Sequence, residues 1–322
     1  MQIILVPGTA GFIGSKITEK LISKGYQVIG LDNLNHYYDI NLKEKRLENL
    51  TKLKNFKFCR IDIENYHKLE SMFQEYHFHG IVNEAARAGI RASIENPFVY
   101  QRTNIEGNLN LLELCKKYNV QHYVLASTSS VYSGCNQPFQ EECVTDYPFS
   151  PYAATKKSAE VMAYTYHYLY RINITILRYF TVYGPFGRPD MSIFRFIKWI
   201  MEGEKLQIYG DGQQERDFTY IDDIAEGTIR ALGLEGFHKI NLGNHNPCTL
   251  MQLIHLIEKY TDKKADFQFL PSLPEDMKST CADITKAIND LGWKPATNLE
   301  QGVRKTVNWM IENWEWVKKV KV

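Results

Sequence analysis

The chain has 322 residues, which leaves room for one large α/β unit with an appendage or for two modest domains. Lys and Arg total 38 against 37 Asp and Glu, a formal net charge of +1, so the global basic field that nucleic acid or an anionic membrane would require is excluded as a partner signal. A hydrophobic content of 44% with 23% charged residues supports a large core and excludes wholesale disorder.

Taken in chain order, short β-branched runs alternate with helix-length amphipathic stretches. MQIILVPGTAGFIGSK predicts a strand at 3–6 and a helix after Gly14. Its apolar run is too short for a membrane span, has no basic residue ahead of it, and leads into glycines instead of a cleavage site. Further strands are predicted at 27–31, 56–61, 80–83, 122–126 and 174–178, each followed or preceded by a helical pattern. This βα rhythm implies an α/β fold, a Rossmann-like doubly wound parallel sheet covered by helices on both faces. After Tyr179 the rhythm breaks into Gly-, Pro- and Asp-rich loops (GPFGRPD, YGDGQQERD, PSLPEDM) and shorter helices, the pattern of a smaller C-terminal α/β substrate lobe. FTYIDDIAEGTIRAL followed by HKINLG again reads as helix then strand. The expected division is therefore 1–180 plus a return segment at about 217–245 for the first domain, and 181–216 with 246–322 for the lobe.

The six cysteines (Cys59, Cys115, Cys135, Cys143, Cys248, Cys281) show no CxxC spacing and no partnered His cluster. The expectation is no disulfide framework, no metal site and a reducing, cytoplasmic compartment. His77 and His79 read as a solvated pair.

Gly8, Gly11 and Gly14 stand between the first predicted strand and the first helix. Glycines there let the backbone turn tightly and approach a pyrophosphate, which then sits on the helix N-terminus. Asp32 ends the second strand, where a carboxylate accepts hydrogen bonds from ribose hydroxyls and disfavours a 2′-phosphate, so NAD is favoured over NADP. Asp62, at the end of the third strand, reads either as a ligand of the adenine edge or as a cap.

Tyr152 and Lys156 lie one helical turn apart on a helix begun by Pro151. An ammonium beside a phenol lowers the phenol pKa and suits it to act as a base near neutrality. Upstream, STSSVY at 127–132 would set small hydroxyls at the mouth of the same sheet.

With these motifs the sequence resembles the extended short-chain dehydrogenase/reductase superfamily and, within it, the nucleotide-sugar epimerases. DNLNHYYDINLKEKRL (32–47) and VYGPFGRPDMSIFRFI (182–197) are most similar to UDP-glucuronate 4-epimerases. The resemblance implies an NAD-dependent isomerase acting on a UDP-sugar through a 4-keto intermediate. In that reading Tyr152, Lys156 and Thr128 are catalytic. Gly8, Gly11, Phe12, Ile13, Gly14, Asp32, Asn33, Asp62, Ile63, Ala85, Ala86 and Asn104 hold the cofactor together with Tyr152 and Lys156. Arg188 faces the sugar carboxylate beside Thr181, Ser129 and Ser130, with Arg91 as a second; Arg216 clasps the diphosphate and Tyr209 packs on the uracil. Relatives that dehydrate or decarboxylate place an acid after the Thr, where this chain has Ser129 and Ser130. The resemblance also implies a homodimer built through helices at about 98–118 and 152–170.

Two positions depart from the family pattern. Pro7 replaces the usual Thr before the glycines, and Asn83-Glu84 replaces a His and an apolar residue ahead of Ala85-Ala86. A carboxylate at position 84 would either stabilise a cationic nicotinamide or, if buried unpaired, cost stability. Two other readings stay open: a 4-epimerase of a neutral UDP-sugar such as UDP-glucose or UDP-N-acetylglucosamine, and a non-catalytic NAD-sensing protein.

Overall fold

The structure, a computed structural model, describes residues 1–272 and 277–322. Its first half alternates strand and helix: β1 (Ile3–Pro7), α1 (Phe12–Ser23), β2 (Gln27–Leu31), α2 (Ile40–Leu50), β3 (Phe56–Cys59), α3 (Tyr66–Glu75) and β4 (Gly80–Asn83). Two short helices, α4 (Ile90–Glu95) and α5 (Pro97–Tyr100), run through a π-helical turn at Gln101–Gly107 into α6 (Asn108–Lys117). Then come β5 (His122–Thr128), α7 (Pro151–Tyr170), β6 (Asn173–Tyr179) and β7 (Thr181–Tyr183). The remainder comprises α8 (Ser192–Glu202), β8 (Lys205–Tyr209), β9 (Glu215–Arg216), β10 (Phe218–Tyr220), α9 (Ile221–Ala231), β11 (Phe237–Leu242), β12 (Cys248–Thr249), α10 (Leu250–Thr261) and β13 (Asp266–Leu270). Three helices close the chain: α11 (Thr285–Leu291), α12 (Leu299–Glu312) and α13 (Trp314–Val317).

Seven strands form one parallel sheet in the order β11-β6-β5-β4-β1-β2-β3. The strands are apolar on both faces because helices cover both. Ile4 and Val6 point into one buried cluster, and Leu5 between them points into another. The sheet order reverses between β1 and β4, which leaves a crevice at their C-terminal ends. Three two-stranded ladders, β7 with β10, β8 with β13 and β9 with β12, carry the C-terminal residues that face this crevice.

Several details differ from the sequence expectation. The third strand stops at Cys59 instead of 61, because Leu31 is the last residue of β2 to pair and the Ile61 N–H turns back to the Cys59 carbonyl. The stretch at 98–118 is not a uniform α-helix, since its middle widens into the π turn. Cys135 and Cys143 are joined in a disulfide across the loop between β5 and α7, contrary to the expectation of none; spacing alone had concealed that the loop folds back on itself. His77 is exposed, but His79 is half-buried with its ring 5.2 Å from that of His122, so the two do not form a solvated pair. Residues 273–276 of the predicted PSLPEDM loop lie outside the described residues. Among the described residues, no helix is long and apolar enough to cross a membrane.

Candidate active site

At the crevice the sheet opens on a cavity of about 720 Å³. Gly8, directly after β1, has φ +81°, and a Cβ there would lie 2.7 Å from Ala85 N and from the Glu84 carbonyl carbon. Only glycine fits that turn. The Gly8 N–H donates to Leu31 O (2.7 Å) and the Gly8 carbonyl accepts from Gly11 N (2.8 Å), which folds the turn onto the start of α1. Gly14 lets the helix pack directly on that carbonyl. The N-terminal turn of α1, with Gly11, Phe12, Ile13 and Gly14, therefore lines the cavity with its positive dipole end. Pro7 ends β1, and its carbonyl accepts the Glu84 N–H at 3.0 Å.

Asp32 and Asn33 follow β2 along the same wall. Asp32 Oδ1 accepts the Leu34 N–H (2.8 Å), and the buried Lys43 ammonium stands 3.5 Å away. Asp62 is engaged twice: Oδ2 accepts from Asn33 Nδ2 (2.7 Å) and Oδ1 from Glu64 N (2.9 Å). Ile63 lies beside it on the cavity wall, and Asn65, not Asp62, caps α3.

β5 extends to Thr128, two residues past its predicted end, and a 3₁₀ turn at Ser129–Tyr132 follows. Thr128 Oγ1 accepts the Ser130 N–H and donates to Ser130 Oγ, both at 3.1 Å. Across the cavity, Ser150 caps α7, whose first turns present Tyr152 and Lys156. Burial pushes the Tyr152 phenol up, while a hydrogen bond with Thr128 and the charge of Arg188 pull it down. The pull expected from Lys156 is thus exerted by Arg188. The Lys156 ammonium donates to Ala126 O (2.8 Å); burial lowers its pKa to about 8, against the opposing pull of Glu84 and Glu160. Ala85 and Ala86 line the floor, with Glu84 accepting from the Tyr179 hydroxyl at 2.7 Å. Asn104 stands behind the wall in the π turn, where its amide bonds the N–H (2.8 Å) and C=O (3.0 Å) of Arg87 and donates to Thr155 Oγ1 (3.0 Å).

The far end of the cavity is rich in guanidinium groups. Thr181 opens β7 there, and Arg188 lies in the loop that follows. Arg188 forms a bidentate pair with Asp190 (Nε–Oδ1 3.0 Å, Nη2–Oδ2 2.5 Å) and sits 5.5 Å above the Tyr37 ring. Arg91 lies 4.2 Å over the Tyr209 ring, so one face of that ring is already covered. Arg216 lines the cavity from β9 with Nη1 on the Glu215 carbonyl (2.8 Å). Arg195 joins them from α8: its buried Nε has no hydrogen-bond partner among the described residues, and burial together with the Arg91 charge lowers its pKa. Two guanidiniums that repel each other beside an unsatisfied buried N–H form a place prepared for an anion.

Residues 4–243 match the model of the NAD dependent epimerase/dehydratase family. The chain belongs to that family. It is 53% identical to a UDP-glucuronate 4-epimerase of Thermodesulfobacterium geofontis over the full length of both. Among solved structures it is similar to the Bacillus cereus UDP-glucuronic acid 4-epimerase in complex with UDP-glucuronic acid and NAD (TM-score 0.92, 37% identity, 97% of this chain and 100% of that one). It also resembles the Thermotoga maritima UDP-glucose 4-epimerase with UDP-glucose (TM-score 0.89, 32% identity, 97% and 100% covered).

The dinucleotide that the family name implies fits this site. The backbone of the Gly8 turn has no room for a Cβ, the start of α1 faces the cavity, and Asp32 directly follows β2 at the same wall. Sequence reasoning passed over Lys43, Tyr37, Arg87 and Arg195, all of which line the cavity. For Arg195 a signal existed: it is the one charged residue in the first six positions of α8, SIFRFI.

Proposed function

We propose that this family member interconverts UDP-glucuronate and UDP-galacturonate by 4-epimerisation, with NAD as a tightly held, internally recycled cofactor. The observation that carries the reading is a single cavity joining the Gly8 turn, the Tyr152–Thr128 pair and the cation-rich end around Arg188 and Arg195. When bound, NAD supplies hydride acceptance from sugar C4 and its return to the opposite face of a 4-keto sugar. Tyr152 Oη takes the proton from O4 and later gives it back. Thr128 orients that phenol, and the charge of Arg188 favours its ionised form. Arg188 also meets the sugar carboxylate, with Arg91 as a second cation and Ser129, Ser130 and Thr181 as hydroxyl partners, while Arg216 and Arg195 hold the diphosphate and Tyr209 offers its open face to the uracil. The two serines after Thr128 supply no acid to expel a hydroxyl, which favours epimerisation over dehydration. The 53% identity to a UDP-glucuronate 4-epimerase supports this substrate over a neutral one. The intact Tyr152, Lys156 and Thr128 set argues against a sensor without turnover. Incubation with UDP-glucuronate and with UDP-glucose at equal concentration tests the reading: conversion of UDP-glucose alone overturns it.

The division into a dinucleotide-binding domain with a return segment and a nucleotide-sugar lobe is part of the same proposal, while the Cys135–Cys143 disulfide removes the cysteine argument for a reducing, cytoplasmic location. A homodimer is part of the proposal as well. Its support is an exposed stripe on α7, where Val161, Tyr164 and Tyr168 follow one another at helical spacing. Light scattering that gives a monomer mass at micromolar protein contradicts the dimer.

A further inference from the structure

Three consecutive residues at the end of β5 are tied to successive turns of α7. The Ala126 carbonyl accepts from the Lys156 ammonium at 2.8 Å, the Ser127 hydroxyl donates to Glu160 Oε1 at 2.6 Å, and the Thr128 hydroxyl meets the Tyr152 phenol. Tyr152, Lys156 and Glu160 are four residues apart in turn, so they share one face of the helix. Glu160 is itself clamped from the sheet. Arg178 is the residue of β6 that pairs with Ser127, and its Nε and Nη2 donate to Glu160 Oε1 and Oε2 at 2.9 and 2.6 Å. Neighbours in register on adjacent strands point to the same face, so Ser127 and Arg178 reach one carboxylate together. All three side chains are buried, and the Tyr132 ring, in the 3₁₀ turn after Thr128, lies over Arg178 at 4.7 Å. The other cations whose charge reaches Glu160 are Lys156 on α7 and Lys239 on β11.

We propose that Ser127 is a positioning residue of the reaction: gripped by the Glu160–Arg178 pair, it locks the end of β5 against α7 and so keeps the neighbouring Thr128 hydroxyl on the Tyr152 phenol. This deepens the 4-epimerase reading and rests on it. Thr128 is extended (φ −149°, ψ 146°), so its side chain and that of Ser127 point to opposite sides of the strand. Ser127 therefore acts on the phenol by way of where it holds Thr128. Without its hydroxyl, β5 loses a grip on α7 and the hydrogen bond between Thr128 and Tyr152 weakens. That bond favours the phenolate, so its weakening raises the pH at which Tyr152 ionises. The other groups that face the phenol are Arg188 in the loop after β7, Tyr37 in the loop after β2 and Tyr100 on α5, whose ring centre lies 6.2 Å from that of Tyr152. None of them touches Ser127, and Lys156 keeps its own bond to Ala126.

The test compares wild type and Ser127→Ala as holoenzymes, a change that leaves the Glu160–Arg178 pair intact. The expected result is an acid limb of kcat displaced upward by about half a pH unit, roughly a threefold lower kcat on that limb, with KM and bound NAD unchanged. In a Thr128→Ala background the same substitution should displace the limb no further, because the bond it acts through is already gone. In protein labelled with ¹³Cζ-tyrosine, the Tyr152 resonance, assigned by its loss in Tyr152→Phe, should titrate at higher pH in Ser127→Ala. Ser127→Cys, whose thiol is a weaker donor, serves if the Ala variant fails to fold. Coincident pH profiles or coincident Tyr152 titrations overturn the proposal. So does an equal displacement in the Thr128→Ala background, and so does loss of NAD from the variant, which makes Ser127 a cofactor contact instead. A wild type that does not turn over UDP-glucuronate refutes the functional reading and leaves the Tyr152 titration to decide on Ser127.

Discussion

Replacing Arg188 probes the substrate reading where the structure makes it most specific. Its guanidinium lines the cavity, yet two of its five donors are committed to Asp190 at 3.0 and 2.5 Å. Arg188→Ala alone would strand the Asp190 carboxylate, so the informative variant is Arg188→Ala with Asp190→Asn, which removes both charges together. The Asp190 side chain is 38% exposed, so water already screens the pair and little stability is lost with it. A hydrogen bond to a charged group contributes about 1.5–3 kcal/mol, and prior neutralisation by Asp190 places the loss at the lower end, about tenfold in kcat/KM for UDP-glucuronate. UDP-glucose has no carboxylate and should lose only the factor that comes from removing the Arg188 charge beside Tyr152, so the carboxylate contact is read from the additional loss, about tenfold, with UDP-glucuronate. The assay is the initial rate with each sugar nucleotide, followed by product configuration at C4. If both substrates lose activity by the same factor, Arg188 orders its loop or holds the diphosphate, and the carboxylate assignment is refuted.

Three further predictions follow from the same geometry. Tyr152→Phe should lower kcat about 10²- to 10⁴-fold while the purified protein keeps its NAD content; undiminished turnover contradicts the assignment of Tyr152 as base. Asp32→Ala removes the anion 3.5 Å from Lys43, so calorimetry should show NADP binding gained and NAD binding weakened, and unchanged NADP exclusion would locate the discrimination elsewhere. Glu160→Gln leaves the Arg178 guanidinium, 1% exposed, without its counter-ion and should cost about 3–5 kcal/mol in urea unfolding; a loss below about 1 kcal/mol contradicts that account.

The central sheet was legible because its strands are apolar on both faces and the helices between them are long enough to cover it. Six predicted strands start within one residue of the observed ones. Most candidate site residues also line one cavity, since short motifs at strand ends fix their own position at a sheet mouth. What escaped the sequence depends on contacts between distant segments. Arg195 is one charge on an otherwise apolar helix end, and its meeting with Arg91 follows only from how the fold brings α8 and α4 to the wall of one cavity. Lys43 meets Asp32 across the loop that joins β2 to α2. Arg188 was legible as a cavity residue, but its pairing with Asp190 two positions on was not, because loop conformation decides whether such neighbours face each other. The Cys135–Cys143 bridge is hidden for the same reason.

The central claim is hydride return within one active site, and its most direct measurement uses UDP-glucuronate deuterated at C4. Proton NMR of the product in ordinary water should show UDP-galacturonate with the C4 deuterium retained and no added NAD consumed. Loss of that deuterium to solvent, or no product from UDP-glucuronate at all, contradicts the account.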